Sequence, residues 1–252
     1  MTTFRGSGGP PPTPNATGSR FKKLEYVLSE KVGETQKKVS PFLVRLNSEV
    51  TGTTLDEKPF EFSVRMHQGV KINNSFSNNI VCISQFSKKG CPVCDATGEK
   101  GKWFTAGTIL DGSEWEIPSG KNKGRVIKDQ RRLLLVNARQ LEAMKKLVSK
   151  FTPWRGREWS ISRGTDQKTP RIGDMWLPNG NPLTEAQLAE RYSKAAADYG
   201  TTVEKYLTPF NYDEVLKPMS FEELEQVAAQ IRKDTAATAA IAEAASDNDI
   251  PF

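Results

Sequence analysis

The amino-acid sequence predicts a mainly β protein with some helix, arranged as a small barrel rather than as alternating βαβ units. Two observations carry this. Between Lys22 and about Gly180 the chain reads as short runs rich in β-branched and aromatic residues, divided by Gly, Ser, Asn and Lys. Helical patterns are few and come late, one after Asn137 and two beyond Thr184.

Taken in order, residues 1–19 are Gly, Pro, Ser, Thr and Asn with almost no large apolar side chains, and are expected to be a disordered arm. The runs LEYVL, PFLVRL and PFEFSVRM follow. The last alternates, with Phe60, Phe62 and Val64 on one face and Glu61, Ser63 and Arg65 on the other, as a strand with one buried face requires. WFTAGTIL, GRVIK, RRLLLV and REWSISR are the later strand candidates. Asn137 caps a helix whose apolar stripe is Leu141, Met144, Val148 and Phe151. Thr184 in TEAQ and Ser220 in SFEE each open a capping box, and Pro218 marks the break before the second. The expected organisation is a core at 20–180 with a metal lobe at about 67–97, a helical region at 181–235 and a flexible tail at 236–252.

The net charge of +6 over 252 residues conceals a split. Residues 1–180 carry 30 Lys+Arg against 17 Asp+Glu, whereas residues 181–252 carry 6 against 13. A basic body with an acidic end is the layout of a polyanion binder. No apolar run reaches the length of a membrane span and no signal peptide is recognisable, so a soluble, cytoplasmic protein is expected.

The stretch KKGCPVCDA holds two of the three cysteines, and the single histidine lies upstream, in the order His67, Cys82, Cys91, Cys94. An odd cysteine count speaks against a disulfide framework. A redox CxxC requires a strand-to-helix setting that SKKG and DATGEKG do not supply. Three thiolates and one imidazole make a closed tetrahedral zinc set, so one structural Zn2+ is expected, with buried inert thiols as the alternative.

All five tryptophans fall between Trp103 and Trp176, several beside basic residues, which combines phosphate-binding charge with stacking faces. Candidate nucleic-acid contacts are Lys71, Phe86, Lys88, Lys89, Lys102, Trp103, Phe104, Trp115, Lys121, Lys123, Arg125, Arg131, Arg132, Trp154, Arg155 and Arg157, with at least two of the tryptophans expected in the core instead. Catalysis finds little support: there is no phosphate-binding GxxxxGK[ST] loop, and the one histidine is assigned to metal.

The His67–Cys94 set ending in CPVC, preceded by VRLNSE and PFEFSVRMHQG, resembles the zinc-containing single-stranded DNA-binding proteins of tailed phages, the T-even helix-destabilising family. The resemblance continues through RRLLLVNARQLEAMKKL, REWSISRGTDQKTPRIGDMW and MSFEELEQVA, covering about Val39 to Ala228. It implies an OB-fold barrel with an inserted zinc lobe, bound by the same four ligands, that coats single strands in replication, recombination and repair. The Gly/Pro-rich start departs from the basic N-terminal motif of that family. The ending SDNDIPF instead resembles the partner-docking tip of bacterial single-stranded DNA-binding proteins, with Asp247 and Asp249 for a basic rim and Ile250, Pro251 and Phe252 for an apolar pocket. The competing readings are a zinc-containing RNA- or duplex-binding module and a metal-dependent nucleic-acid-processing enzyme.

Overall fold

A computed structural model describes residues 28–72, 75–120, 123–164 and 171–246; the N-terminal arm, Lys121 and the tip Asp247–Phe252 lie outside these residues. Its strands are β1 (Ser29–Val32), β2 (Thr35–Lys38), β3 (Ser48–Thr54), β4 (Ser63–Ile72), β5 (Ser75–Val81), β6 (Lys102–Asp111), β7 (Trp115–Glu116), β8 (Val126–Ile127), β9 (Gln130–Asn137), β10 (Glu158–Arg163) and β11 (Met175–Pro178). The helices are α1 (Pro92–Thr97), α2 (Ala138–Lys150), α3 (Glu185–Asp198), α4 (Val203–Leu207), α5 (Tyr212–Val215) and α6 (Phe221–Ser246). No helix among the described residues is long and apolar enough to cross a membrane.

Seven strands make one antiparallel sheet around β6. One edge of β6 pairs with β9 from Phe104↔Asn137 to Asp111↔Gln130. Its other edge is divided: the start pairs with β4, which carries β5, and the end pairs with β3, which carries β10 and β11. Every residue of β6 from Phe104 to Asp111 is buried, because both faces are covered. Val64, Met66, Phe104, Leu133 and Leu135 form one core layer. Phe60, Ile109, Leu134 and Val136 form the opposite one with Trp154, Trp159 and Trp176. That double coverage is why WFTAGTIL and RRLLLV read as continuous apolar runs rather than alternating ones.

The expected mixture of sheet and helix is present, but the barrel is not closed. The segment PFLVRL forms only isolated bridges, Pro41↔Leu133 and Val44↔Arg171, instead of a ladder between β9 and the far end of the sheet. This strand order does not establish an OB-fold. The alternation predicted for PFEFSVRM also fails at its start. Phe60 has φ +64° and turns into the layer opposite Val64, so the strand begins at Ser63.

The helix caps follow the sequence. Asn137 Oδ1 accepts from Gln140 N at 3.0 Å, and Thr184 and Gln187 form a complete capping box. Ser220 and Glu223 exchange the same pair of bonds, 2.9 and 3.2 Å. From there α6 lays Leu224, Val227 and Ile231 on the segment that holds the cysteines, and it extends to Ser246, past the expected boundary at 235.

A buried polar node fastens the helical region to the sheet. Asp56 Oδ2 accepts from Thr108 N at 2.6 Å, Tyr212 donates its hydroxyl hydrogen to Asp56 Oδ1, and Thr108 Oγ1 accepts from Phe210 N at 3.0 Å. Burial raises the Asp56 carboxyl from 3.8 to about 6, against the opposing pull of Tyr212, Thr108 and Arg155. A folded pKa above the unfolded one gives a contribution that is complete below the unfolded value and is lost as pH rises through about 6. Compared with Asp56→Asn, the native protein should therefore lose about 3 kcal/mol of relative stability between roughly pH 4 and 6, read from urea midpoints across that range. A difference between the two proteins that does not vary with pH would contradict this account.

Candidate metal centre and adjoining groove

The β4–β5 hairpin sets two of the four metal-binding candidates. His67 lies in β4 opposite Ile80, and Cys82 follows the end of β5, where its N–H donates to Arg65 O at 2.8 Å. The other two flank the first turn of α1: Cys91 caps it in an extended conformation, Pro92 opens it, and Cys94 sits one turn on. CPVC thus enters the helix from a turn segment, Cys82–Gly90, rather than directly from a strand.

The four ligand atoms lie within 4.8 Å of one another. His67 Nε2 is 3.7 Å from Cys91 Sγ and 3.5 Å from Cys94 Sγ, and Cys82 Sγ is 3.6 Å from Cys94 Sγ. A tetrahedral zinc ion with ordinary bond lengths requires edges of about 3.8 Å between sulfurs and about 3.6 Å between sulfur and nitrogen. The residues fit a four-coordinate ion, and with four protein ligands no position is open to a substrate. The packing is close: a Cβ on Gly101 would lie 2.7 Å from Cys82 Cβ and 3.1 Å from its sulfur.

Burial raises the Cys94 thiol to about 12 in the metal-free set. Burial also raises the Cys82 thiol, but hydrogen bonds from the Ser84 side chain and backbone outweigh it and bring the group below its usual value. Burial lowers the His67 imidazole, keeping it neutral and available as a ligand. Metal binding displaces the thiol protons.

Beside this cluster lies a groove of about 820 Å³. Its walls are β4 from Met66 to Lys71, the lobe residues Ala96–Lys100, the end of β9 at Leu135 and Asn137, and α6 from Ile231 to Thr238. Lys71, Lys100 and Lys102 bring positive charge to it, Arg171 is ion-paired to Asp174, and Glu99 and Asp234 are the acidic members. Lys71 Nζ donates to Thr238 Oγ1 at 3.4 Å.

The described candidate nucleic-acid contacts other than the half-buried Lys71 divide into three groups. Phe86, Lys88, Lys89, Lys102, Trp103, Trp115, Lys123 and Arg125 are exposed, with Phe86 at 67%, Trp103 at 44% and Trp115 at 45%. Trp103 lies under the Arg65 guanidinium, 5.0 Å from its ring centre, and Trp115 sits on the separate β7–β8 ribbon. Trp154, Phe104 and Arg157 are buried, Phe104 within the groove wall. Three arginines are held within the fold. Arg155 forms a fork on Glu185 (2.7 and 2.8 Å) and donates to Leu55 O and Leu207 O. Arg131 reaches Glu30, Lys205 O and Thr208 O, and Arg132 pairs with Asp111 at 2.6 Å. Lys100 and Arg171 join the groove without having been singled out in the sequence; Lys100 is two residues from Lys102, whereas Arg171 comes to this groove only through the fold.

No protein-family model, no curated protein and no solved structure matches this chain.

Titration of metal-free protein with Zn2+ should saturate at one ion per chain, release protons and weaken as pH falls. Structural sites of this kind contribute on the order of 10 kcal/mol, so Cys91→Ser should lose the ion and lower the thermal midpoint. Unchanged stability of Cys91→Ser or of the metal-free protein would rule out a structural ion. Gly101→Ala should weaken metal binding through the close approach to Cys82, measurable by chelator competition.

Proposed function

We propose that this chain is a non-enzymatic single-stranded DNA-binding protein, with one structural zinc ion at His67, Cys82, Cys91 and Cys94. It traps exposed strands during replication, recombination and repair. The observation that carries the reading is the basic groove against the metal lobe. Lys71, Lys100 and Lys102 in this groove supply phosphate contacts, and the exposed ring of Trp103, next to Lys102 but on the opposite face of β6, takes a base at the groove edge. Single strands are held by this combination of charge that follows the backbone and rings on which bases stack. The lobe contributes a groove wall, so the metal acts by holding that wall in place. The acidic, apolar tip Asp247–Phe252 would dock replication and repair partners.

Tryptophan fluorescence during titration with oligo-dT tests the reading. The exposed Trp103 and Trp115 should be quenched, and affinity should fall with salt by a log–log slope of about −0.7 per phosphate contacted. Trp103→Ala should weaken binding by about 1–3 kcal/mol, and Lys102→Glu should weaken it while reducing the salt slope. Equal binding to duplex or a preference for RNA would point to another nucleic-acid module. Cleavage of labelled strand with Mg2+ or Mn2+ would point to an enzyme. If none of these polymers bound, the groove would lose its assignment.

A further inference from the structure

The CPVC pair is the feature that the sequence brings forward, but the fold sets a different sulfur against Cys94. Cys82 Sγ, delivered from the end of β5, lies 3.6 Å from Cys94 Sγ. Cys82 and Cys91 are 0% and 2% exposed, whereas Cys94 is only partly buried. A small solute therefore meets Cys94 first, with the Cys82 sulfur in contact behind it. An accessible thiolate with a second cysteine beside it is the arrangement that reversible oxidation requires. Cys94 also stands close to the groove. The wall residues Ala96–Lys100 begin two positions further on, and Cys94 and Ala96 pack with Met219 and Phe221 against the cluster that contains Leu224, Val227 and Ile231. A change in the bonding of Cys94 thus acts directly on the contact between α1 and α6 and on the wall.

We propose that the cluster is a redox switch: a peroxide oxidises Cys94, Cys82 resolves the product as a disulfide, and the metal leaves with the groove wall loosened. Coordination to a metal keeps the three sulfurs as thiolates, the nucleophilic form. The Cys94 thiolate attacks one peroxide oxygen and breaks the O–O bond; the other oxygen leaves as hydroxide and is protonated to water. The Cys82 thiolate then attacks the sulfenic sulfur and expels its hydroxide, which is likewise protonated to water. In sum two thiolates give up two electrons, one hydrogen peroxide is reduced, two protons are consumed, and one disulfide and two waters form. Bond formation draws the two sulfurs together by about 1.5 Å from their 3.6 Å contact. His67 and Cys91 alone cannot complete a tetrahedral site, so the ion is released. A thiol reductant reverses the bond. The expected effect on a bound strand rests on the groove reading, whereas the chemistry and the loosening of the wall do not.

The test treats the zinc-loaded full chain with hydrogen peroxide, reading ion release with a chromophoric chelator and connectivity by peptide mass mapping. One ion per chain should be released as a Cys82–Cys94 disulfide forms, and dithiothreitol with Zn2+ should restore the site. Amide hydrogen exchange should quicken about tenfold or more at Ala96–Gly101 while β6 and β9 keep their protection, which separates local loosening from general unfolding. Oligo-dT should bind the oxidised protein about tenfold less tightly than the zinc-loaded one, with recovery when reductant and ion are returned. A disulfide between Cys91 and Cys94, conversion of Cys94 directly to sulfinic acid, or retention of the ion in millimolar peroxide overturns the proposal. So does a chain that holds no ion to release, or an oxidised protein whose exchange at Ala96–Gly101 is unchanged. Oligo-dT affinity that survives oxidation in a protein that binds the strand when reduced overturns the switch and leaves the groove reading standing. If the reduced, zinc-loaded protein binds no oligo-dT, the groove reading fails, and ion release, mapping and exchange still decide the switch.

Discussion

The four-residue cluster of His67, Cys82, Cys91 and Cys94 is the constraint on which the Cys82–Gly101 segment and the groove beside it depend. Between the end of β5 and the start of β6 the chain runs from Cys82 to Gly101 with one six-residue helix and few apolar side chains of its own. Such a segment buries too little to offset its ordering entropy unaided. Two things hold it: convergence of its three cysteines on a histidine from β4, and the apolar stripe of α6 at Leu224, Val227 and Ile231. The groove wall at Ala96–Lys100 belongs to that segment. The groove wall therefore depends on closure of the cluster, and under the proposed reading a metal held there would act on ligand binding by keeping that wall in place.

Arginine and lysine are used for different purposes. Arg131, Arg155 and Arg157 direct their planar forks at backbone carbonyls and carboxylates, joining segments tens of residues apart. Lys31, Lys38, Lys88, Lys100 and Lys102 stay in solvent as point charges. This matches the chemistry of the two groups, since guanidinium is weakly hydrated and pre-organised for several acceptors, whereas ammonium is compact and strongly hydrated. The charge split of the sequence is thus partly internal. Arg125 with Asp198 and Arg155 with Glu185 join the basic body to the acidic helical region, and only the remainder is left for partners.

The metal set was legible because it rests on residue type and order alone: one histidine, three cysteines and a CPVC knuckle. The caps at Asn137, Thr184 and Ser220 were legible because a cap is a local interaction over three residues. What was not legible is long-range. Whether Trp154 or Trp103 faces solvent depends on which layer of the sheet each strand covers, and both sit among basic residues in the sequence. Burial of Arg157 is likewise set by carbonyls from Phe151 and Gly180. β5 was not legible because SFSNNIV carries only Phe76 among four polar residues before its last two, and it pairs only as the partner of β4. Phe60 broke an otherwise sound alternation through a left-handed backbone that its type does not advertise.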